Sequence, residues 1–264
     1  MLFRSPFGSV AHLGPHTMSV LDTALVMNII KQPDARDWTS LAADDTDLTA
    51  GLEDGVRGLR IAYSPTLGYA SKVHPEVAAA VARGVQRLQD LGAQVEAVDP
   101  GISDPLHICT GLWFVGAWTV WNTLNAEQQA RTDPDFRAEA LQGQRYSALD
   151  VQRLQMERGA LGSQLRQFMQ RFDLLVTPAV AIPAFDARPA GSVPLDAQAM
   201  LGWTPFSYPF NLSQQPAISV PCGLTRGGLP IGLQIVGRMF DDALVLRAAL
   251  AFENVMPIPR PTLP

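Results

Sequence analysis

The fold is most directly indicated by Phe210–Gly237, which reads FNLSQQPAISVPCGLTRGGLPIGLQIVG. Two short apolar runs, Ala217–Pro221 and Ile231–Val236, are joined by a segment that contains Gly227 and Gly228. Because glycine has no Cβ, such a pair can adopt the positive φ angles that a tight turn between strands requires. The stretch therefore predicts a buried β-hairpin.

A strand–helix–strand unit is predicted upstream of the hairpin. Leu59–Tyr63 is a candidate strand, Pro75 stands at a favoured first position of a helix, and Gln94–Val98 is a second strand after the helix stop at Gly92. Apolar residues recur on one face of that helix at Val77, Val81, Leu88 and Leu91. Strands joined by a helix of this length form a right-handed unit with parallel strands. The loop Ser64–Gly68 lacks the Gly-x-Gly-x-x-Gly turn, which excludes a dinucleotide-binding fold.

The remaining segments read mainly as helices. The predicted helices are Val20–Ile30, Asp104–Asn125, Ser147–Phe172 with a capping box between Ser147 and Asp150, and a last helix from Asp241 or Asp242 to about Glu253, while Phe185–Met200 is predicted to be a loop. Together with the hairpin, they predict an α/β fold in which a mixed β-sheet is flanked by helices.

Three segments resemble the amidase signature family of hydrolases. They are the hairpin segment Gly228–Gly237 (GLPIGLQIVG), Ser5–Pro15 (SPFGSVAHLGP) and Asp173–Pro178 (DLLVTP). They occur in the family's order along nearly the whole chain, and the match is weakest between about Pro100 and Arg171. The resemblance implies hydrolysis of a carboxamide C–N bond through a serine acyl-enzyme.

The family's Ser–cis-Ser–Lys triad lies upstream of the segment that Ser5–Pro15 resembles, so the resemblance places the nucleophile, relay serine and lysine upstream of Met1. This sequence contains no Ser-Ser pair and no Gly-Gly-Ser run, and its two lysines are Lys31, after an apolar helix, and Lys72, in a polar loop. Neither position suggests the burial or the cationic neighbour that a lysine needs in order to act as a base near neutral pH. The resemblance thus implies that residues 1–264 are a single C-terminal portion of an amidase-signature domain, without catalytic residues and inactive alone.

Candidates for a substrate pocket are aromatic residues and one threonine. Phe114, Trp118 and Trp121 recur at helical spacing, which favours packing into the core, although they could also line an acyl pocket. The complete set of pocket candidates is Phe114, Trp118, Trp121, Thr177, Trp203 and Phe206. Asn211 is predicted to be a cap or turn acceptor instead of a substrate contact.

Other chemistries have little support. His12 and His16 are four residues apart, but Gly14 and Pro15 between them argue against a helix that could present both to a metal. We therefore expect no metal and no cofactor. Cys109 and Cys222 are predicted to be buried free thiols, and a thiol hydrolase remains open but unsupported. Should activity appear, the nucleophile would be sought among Ser207, Ser213, Ser219 and Cys222.

Composition limits the partners. The chain has 264 residues, of which 47% are hydrophobic and 17% charged, and a net charge of −5. An acidic chain without basic clusters is not expected to bind nucleic acid or an anionic membrane. We expect a cytoplasmic protein, since no apolar run has the length of a membrane span. The expected partners are a small-molecule amide in the complete enzyme, a missing N-terminal half, or a second copy through self-association.

Three alternatives remain open at this point. One is an active enzyme reassembled from this chain and a separately encoded N-terminal half. Another is the amidase-like subunit of a glutamine-dependent transamidation complex, which shares these motifs. The third is a non-enzymatic interaction protein.

Overall fold

The computed structural model describes residues 6–37, 39–187 and 201–257, so most of the predicted loop Phe185–Met200 lies outside the described residues. The strands are β1 (Arg60–Tyr63), β2 (Gln94–Ala97), β3 (Leu174–Pro178), β4 (Ala217–Leu224) and β5 (Pro230–Gly237). The helices are α1 (Val20–Ile30), α2 (Pro75–Asp90), α3 (Leu106–Trp121), α4 (Ala126–Ala130), α5 (Pro134–Gly143), α6 (Ala148–Phe168), α7 (Tyr208–Ser213) and α8 (Asp242–Val255).

The strands form one mixed five-stranded sheet in the order β2-β1-β3-β5-β4. β1 pairs in parallel with β2 and with β3, which confirms the predicted strand–helix–strand unit. β5 pairs antiparallel with β3 and with β4, which confirms the hairpin. Of the two turn glycines, Gly228 adopts a positive φ of 81°. The α/β fold with a mixed sheet is therefore confirmed.

The local chemistry of the helix ends explains where several helices begin or stop. Ser19 caps α1 by accepting a hydrogen bond from the Asp22 backbone N–H at 3.1 Å, and α1 has the predicted bounds. Pro75 occupies the first turn of α2. Ser147 and Asp150 form the predicted capping box of α6. Such side-chain partners satisfy N–H groups that have no acceptor within the helix.

Two predicted helices are longer than the observed ones. α6 ends at Phe168 instead of Phe172, although the ring of Phe172 remains buried in the core below the sheet. α3 begins at Leu106, whose N–H donates to the Asp104 carboxylate at 3.0 Å. Beyond α6 the apolar pattern continues because the following turn buries Met169 and Phe172. α3 ends at Trp121 instead of Asn125, and the polar residues that follow it are exposed.

The two faces of the sheet carry separate cores. One face packs against α2 and α8, and its strand residues include Ile61, Leu174, Val176, Leu233 and Ile235. The other packs against α3, α6 and α7, and its strand residues include Ala62, Leu175 and Val236. Alternate residues of each strand therefore serve different cores, as the pleat requires. None of the helices in the described ranges combines the length and hydropathy of a membrane-spanning helix.

Asp173 joins the start of β3 to two neighbouring segments. Its carboxylate accepts a hydrogen bond from the Arg60 backbone N–H at 2.8 Å and another from the Arg238 guanidinium at 2.7 Å. Partial burial alone would raise the pKa of Asp173, but the bonds and charges of Arg60 and Arg238 outweigh it and lower that pKa. The ionised carboxylate consequently stabilises the fold.

We expect Asp173→Asn to lower the free energy of unfolding at pH 7 by about 1 kcal/mol, because both arginine side chains are partly exposed and screened. A lowered folded-state pKa contributes stability above the unfolded pKa of roughly 3.9, and that stability is lost as the pH falls through the folded pKa. Urea unfolding across this range should show the gap to the wild type closing in acid. Exposed Asp45→Asn is the control, and a gap that persists in acid would contradict the expectation.

Candidate functional site

A row of three polar side chains crosses the sheet near the carboxyl end of β3. Thr177 pairs with Gln234 on β5, and Gln234 pairs with Ser219 on β4. Directly paired residues of antiparallel strands project from the same face. Thr177 is fully buried, Gln234 is 8% exposed and Ser219 is exposed. The row therefore leads from the core to the edge of the sheet.

Gln234 connects the sheet to the segment before α7. Its Nε2 donates to Thr177 Oγ1 at 3.0 Å and to the carbonyl oxygen of Phe206 at 2.8 Å. The Thr177 hydroxyl in turn donates to the Pro178 carbonyl at 2.8 Å. Buried polar groups need such partners, because an unpaired one loses its hydration without compensation. Gln234 thus fixes Phe206, whose ring is fully buried, against the sheet.

The same segment is held from a second side. The Tyr69 hydroxyl donates to the Pro205 carbonyl at 2.5 Å, and the Tyr208 hydroxyl donates to the Asp104 carboxylate at 2.8 Å. Burial raises the pKa of both tyrosines, so both hydroxyls keep their protons and remain donors. The backbone around Pro205 is accordingly clamped between the loop after β1 and strand β5.

Trp203 lies at the exposed end of this clamped segment. Its carbonyl accepts a hydrogen bond from the Ala181 N–H at 3.1 Å, and its half-buried ring meets that of Phe185 edge to face at 5.4 Å. Thr177, Trp203 and Phe206, three of the predicted pocket residues, are thus brought together around the carboxyl end of β3. Their role in a pocket stays a prediction.

The aromatic residues of α3 lie at a different place, against α5. A Cβ built on Gly143 would lie 2.0 Å from the Phe114 carbonyl oxygen and 2.7 Å from Trp118 Cβ. Phe114 is buried, whereas Trp118 and Trp121 are half-buried. The buried cluster around Phe206 takes Ile108, Cys109 and Leu112 from α3, but not Phe114. The structure therefore does not join these aromatic residues of α3 to the group around the carboxyl end of β3, and their role as pocket wall stays a prediction.

Arg158 and Asn211 hold the segment before α1 in place through hydrogen bonds to its backbone. Arg158 Nε donates to the Leu212 carbonyl at 2.7 Å, and its Nη2 donates to the Ser9 carbonyl at 2.8 Å. Asn211 Nδ2 donates to the Val10 carbonyl at 2.9 Å. The prediction that Asn211 is a cap or turn acceptor was wrong, because its amide donates to a distant part of the chain.

The thiols are poor nucleophiles in this fold. Cys109 and Cys222 are both buried and free. Burial raises the pKa of Cys109 to about 11 and that of Cys222 to about 12. Since the thiolate is the reactive form, neither side chain is activated at neutral pH.

The hydroxyls of Ser207 and Ser213, two of the candidate nucleophiles, form hydrogen bonds within the fold. The Ser207 hydroxyl bonds to the Ala179 carbonyl at 3.5 Å, and the Ser213 hydroxyl donates to Gln215 Oε1 at 3.0 Å. His12 and His16 lie in irregular chain, and no group of three or more potential metal ligands occurs within the described residues.

The nucleophile, relay serine and lysine that the family resemblance implies are expected upstream of Met1. Met1 lies outside the described residues, which begin at Pro6. A nucleophile, relay serine and lysine upstream of Met1 are therefore still a prediction from the family resemblance.

Sequence reasoning missed Gln234 and Arg158, although both left a signal. Gln234 is a polar residue inside the apolar run Ile231–Val236. Arg158 follows Leu154 by four residues and precedes Leu161 by three, so it stands on the apolar face of α6. A polar side chain on a buried face needs a hydrogen-bond partner, so the sequence pattern indicates that Gln234 and Arg158 each bond to another part of the fold.

Comparison with known proteins identifies the family. The family model Amidase matches residues 7–246. The chain belongs to the amidase family. It is 35% identical to an acylamidase of Rhodococcus erythropolis, over 95% of this chain and 54% of the relative. It is 32% identical to a glutamyl-tRNA(Gln) amidotransferase subunit of Myxococcus xanthus (strain DK1622), over 91% of this chain and 54% of the relative.

The fold of this amidase-family chain is also found in solved structures. A bacterial aryl acylamidase of the amidase signature enzymes superposes with a TM-score of 0.80 at 28% identity, over 94% of this chain and 55% of that one. The resemblance inferred from the three sequence segments is thereby confirmed. The chain spans about half the length of the curated relatives it matches.

Proposed function

We propose that this amidase-family chain is the scaffold and pocket-wall portion of an enzyme that hydrolyses carboxamide C–N bonds through a serine acyl-enzyme. The observation that carries the proposal is the family match over residues 7–246, together with 35% identity to an acylamidase. In this proposal a small-molecule amide is the substrate, and the nucleophile, relay serine and lysine come from a segment that would precede Met1 in the complete enzyme.

In this proposal the described residues position and bind the amide substrate, and they do not carry out the bond-breaking step. The clamp around Pro205 offers a fixed backbone on which Trp203 presents a partly exposed ring, as a wall for an acyl group requires. Two of the four candidate nucleophiles are engaged otherwise: the Ser213 hydroxyl donates to Gln215, and burial keeps the Cys222 thiol protonated. These features support a chain that is inert by itself.

We expect the isolated chain to release no ammonia above background from aliphatic or aromatic amides, because a serine hydrolase without nucleophile and base retains little beyond binding. The assay is ammonia release from a panel of such amides, with the full-length R. erythropolis acylamidase as positive control. Turnover that persists through purification would contradict the proposal, and alanine variants of Ser207, Ser213, Ser219 and Cys222 would then locate the nucleophile.

A second candidate is the amidase-like subunit of a glutamine-dependent transamidation complex. The match to the amidotransferase subunit of M. xanthus favours it, at 32% identity over 91% of this chain. Glutamine would then be the amide hydrolysed by the complete enzyme. Ammonia release from glutamine in the presence of partner subunits, measured on a complete enzyme that includes the catalytic segment, would separate the two cases. Two free, buried thiols support a reducing cytoplasm as the setting of either enzyme.

A further inference from the structure

A cleft of about 560 Å³ opens at the amino ends of β1 and β2, beside the turn that follows α6. Its polar lining comes from three segments: Arg60 of β1, Gln94 and Glu96 of β2, and Gln170 and Arg171 of the turn. Arg60 pairs with Gln94, and Glu96 follows by two residues, so all three side chains project from one face of the sheet. A cavity of this volume with converging polar groups is typical of a small-molecule site.

The guanidinium of Arg60 is only loosely engaged by the protein. Asp173 accepts its close hydrogen bonds from the Arg60 backbone N–H at 2.8 Å and from Arg238 at 2.7 Å. The Arg60 guanidinium lies 3.6 Å from the same carboxylate, which is an ion-pair contact but longer than a hydrogen bond. Because the Arg60 side chain is 52% exposed, its N–H groups can donate to a ligand in the cleft.

Arg171 is held in place, but its ion pair is open to exchange. Its Nη2 donates to Glu96 Oε1 at 3.2 Å, and its guanidinium carbon lies 5.0 Å from the centre of the buried Phe172 ring. A cation–π contact of this kind orients the guanidinium without using its donors. The Arg171 and Glu96 side chains are 60% and 57% exposed, and an exposed ion pair contributes little to stability. A ligand carboxylate can therefore replace Glu96 at Arg171.

We propose that the cleft binds a small dicarboxylate, with one carboxylate at Arg60 and the other in the place of Glu96 at Arg171. The planar guanidinium of each arginine matches a carboxylate through paired N–H donors. Two glutamine amides in the lining add neutral donors, and the Phe172 ring offers an apolar surface to the carbon chain of the ligand. With two guanidiniums and one carboxylate among its lining side chains, the cleft has a net positive charge that attracts such an anion.

The cleft lies away from the group around the carboxyl end of β3. Asp173, which contacts Arg60, precedes β3, whereas Thr177 is the fourth residue of that strand. At about 3.3 Å per residue, these two positions are about 13 Å apart along the strand. A dicarboxylate in the cleft would thus leave the proposed acyl pocket open, and its binding needs no amide hydrolysis. This inference and the proposed function can fail separately.

Isothermal titration calorimetry of the whole chain with succinate tests the proposal. Succinate should bind saturably at a 1:1 ratio, while its neutral analogue succinamide and inorganic phosphate should each bind about tenfold more weakly or worse. Arg171→Gln should lower the affinity for succinate by about tenfold or more, because one guanidinium is lost. Arg153→Gln is the matched control, since Arg153 is also an exposed arginine paired with a carboxylate but lies near the opposite end of α6. Salt screens its charge at that distance, so the affinity should change by less than about twofold.

Glu96→Gln should give a result of the opposite sign. Removing the carboxylate that competes for Arg171 should strengthen succinate binding by about threefold or more, whereas damage to the cleft would weaken it. All three variants change exposed side chains and should melt near the wild-type temperature.

Four results would each overturn the proposal: no saturable binding of succinate, equal binding of succinamide, unchanged affinity in Arg171→Gln, or weaker binding in Glu96→Gln. Phosphate binding as tight as that of succinate would also overturn it, in favour of a site for an inorganic oxyanion.

Discussion

Gly143→Ala is expected to lower the free energy of unfolding by about 2–3 kcal/mol. The added methyl group would lie 2.0 Å from the Phe114 carbonyl oxygen, which is backbone and cannot rotate away. α3 and α5 would have to separate, loosening the contact between Gly143 and Trp118. Urea unfolding followed by circular dichroism measures the loss.

Gly159→Ala is the matched control within α6. A Cβ at Gly159 would meet no atom within 4 Å. Alanine in an open helical position should raise the free energy of unfolding by about 0.5–1 kcal/mol, because glycine loses more backbone freedom on folding. Opposite signs for the two substitutions are the expected result. A stabilising Gly143→Ala would show that α3 and α5 do not pack closely.

Phe206→Ala is expected to cost about 3–5 kcal/mol, the range for emptying a phenylalanine site in a close-packed core. Phe206 is fully buried, and Gln234 and Tyr69 restrain the backbone around it, so little collapse can fill the cavity. Thermal and urea unfolding measure the effect. Leu149→Ala, at an exposed position of α6, should change stability by less than about 0.5 kcal/mol.

The outcome also bears on the predicted pocket. A large loss assigns the Phe206 ring to the core and leaves Trp203, which is half-buried, as the more accessible pocket candidate of this segment. A loss below about 1 kcal/mol would instead mean that the ring can leave its site easily, as expected of a residue beside a cavity.

The elements that sequence predicted well depend on local chemistry. Pro75 at a helix start, the capping box of Ser147 with Asp150, and the hairpin turn at Gly228 each involve groups a few residues apart. Such interactions can be predicted from a short stretch of sequence, without information on the rest of the chain.

The arrangement of the candidate site was not predictable in this way. β3 lies between β1 and β5, and Gln234 reaches Thr177 across 57 residues of sequence. The close approach of Gly143 to Phe114 likewise depends on how α3 and α5 cross. Apolar patterns in the sequence show that these faces are buried, but they do not show which elements pack against them. The hydrogen-bond partners of Gln234 and Arg158 are therefore known only from the structure.

The contact between Asn211 and Val10 joins atoms from residues 201 positions apart. At a synthesis rate of about 5–20 residues per second, the segment around Val10 leaves the ribosome roughly 10–40 seconds before Asn211 does. Arg158, the other anchor of that segment, also emerges much later than Ser9, which it binds. The segment around Val10 therefore cannot form these bonds until Asn211 and Arg158 have been synthesised, and until then it remains open to chaperones and proteases on the nascent chain.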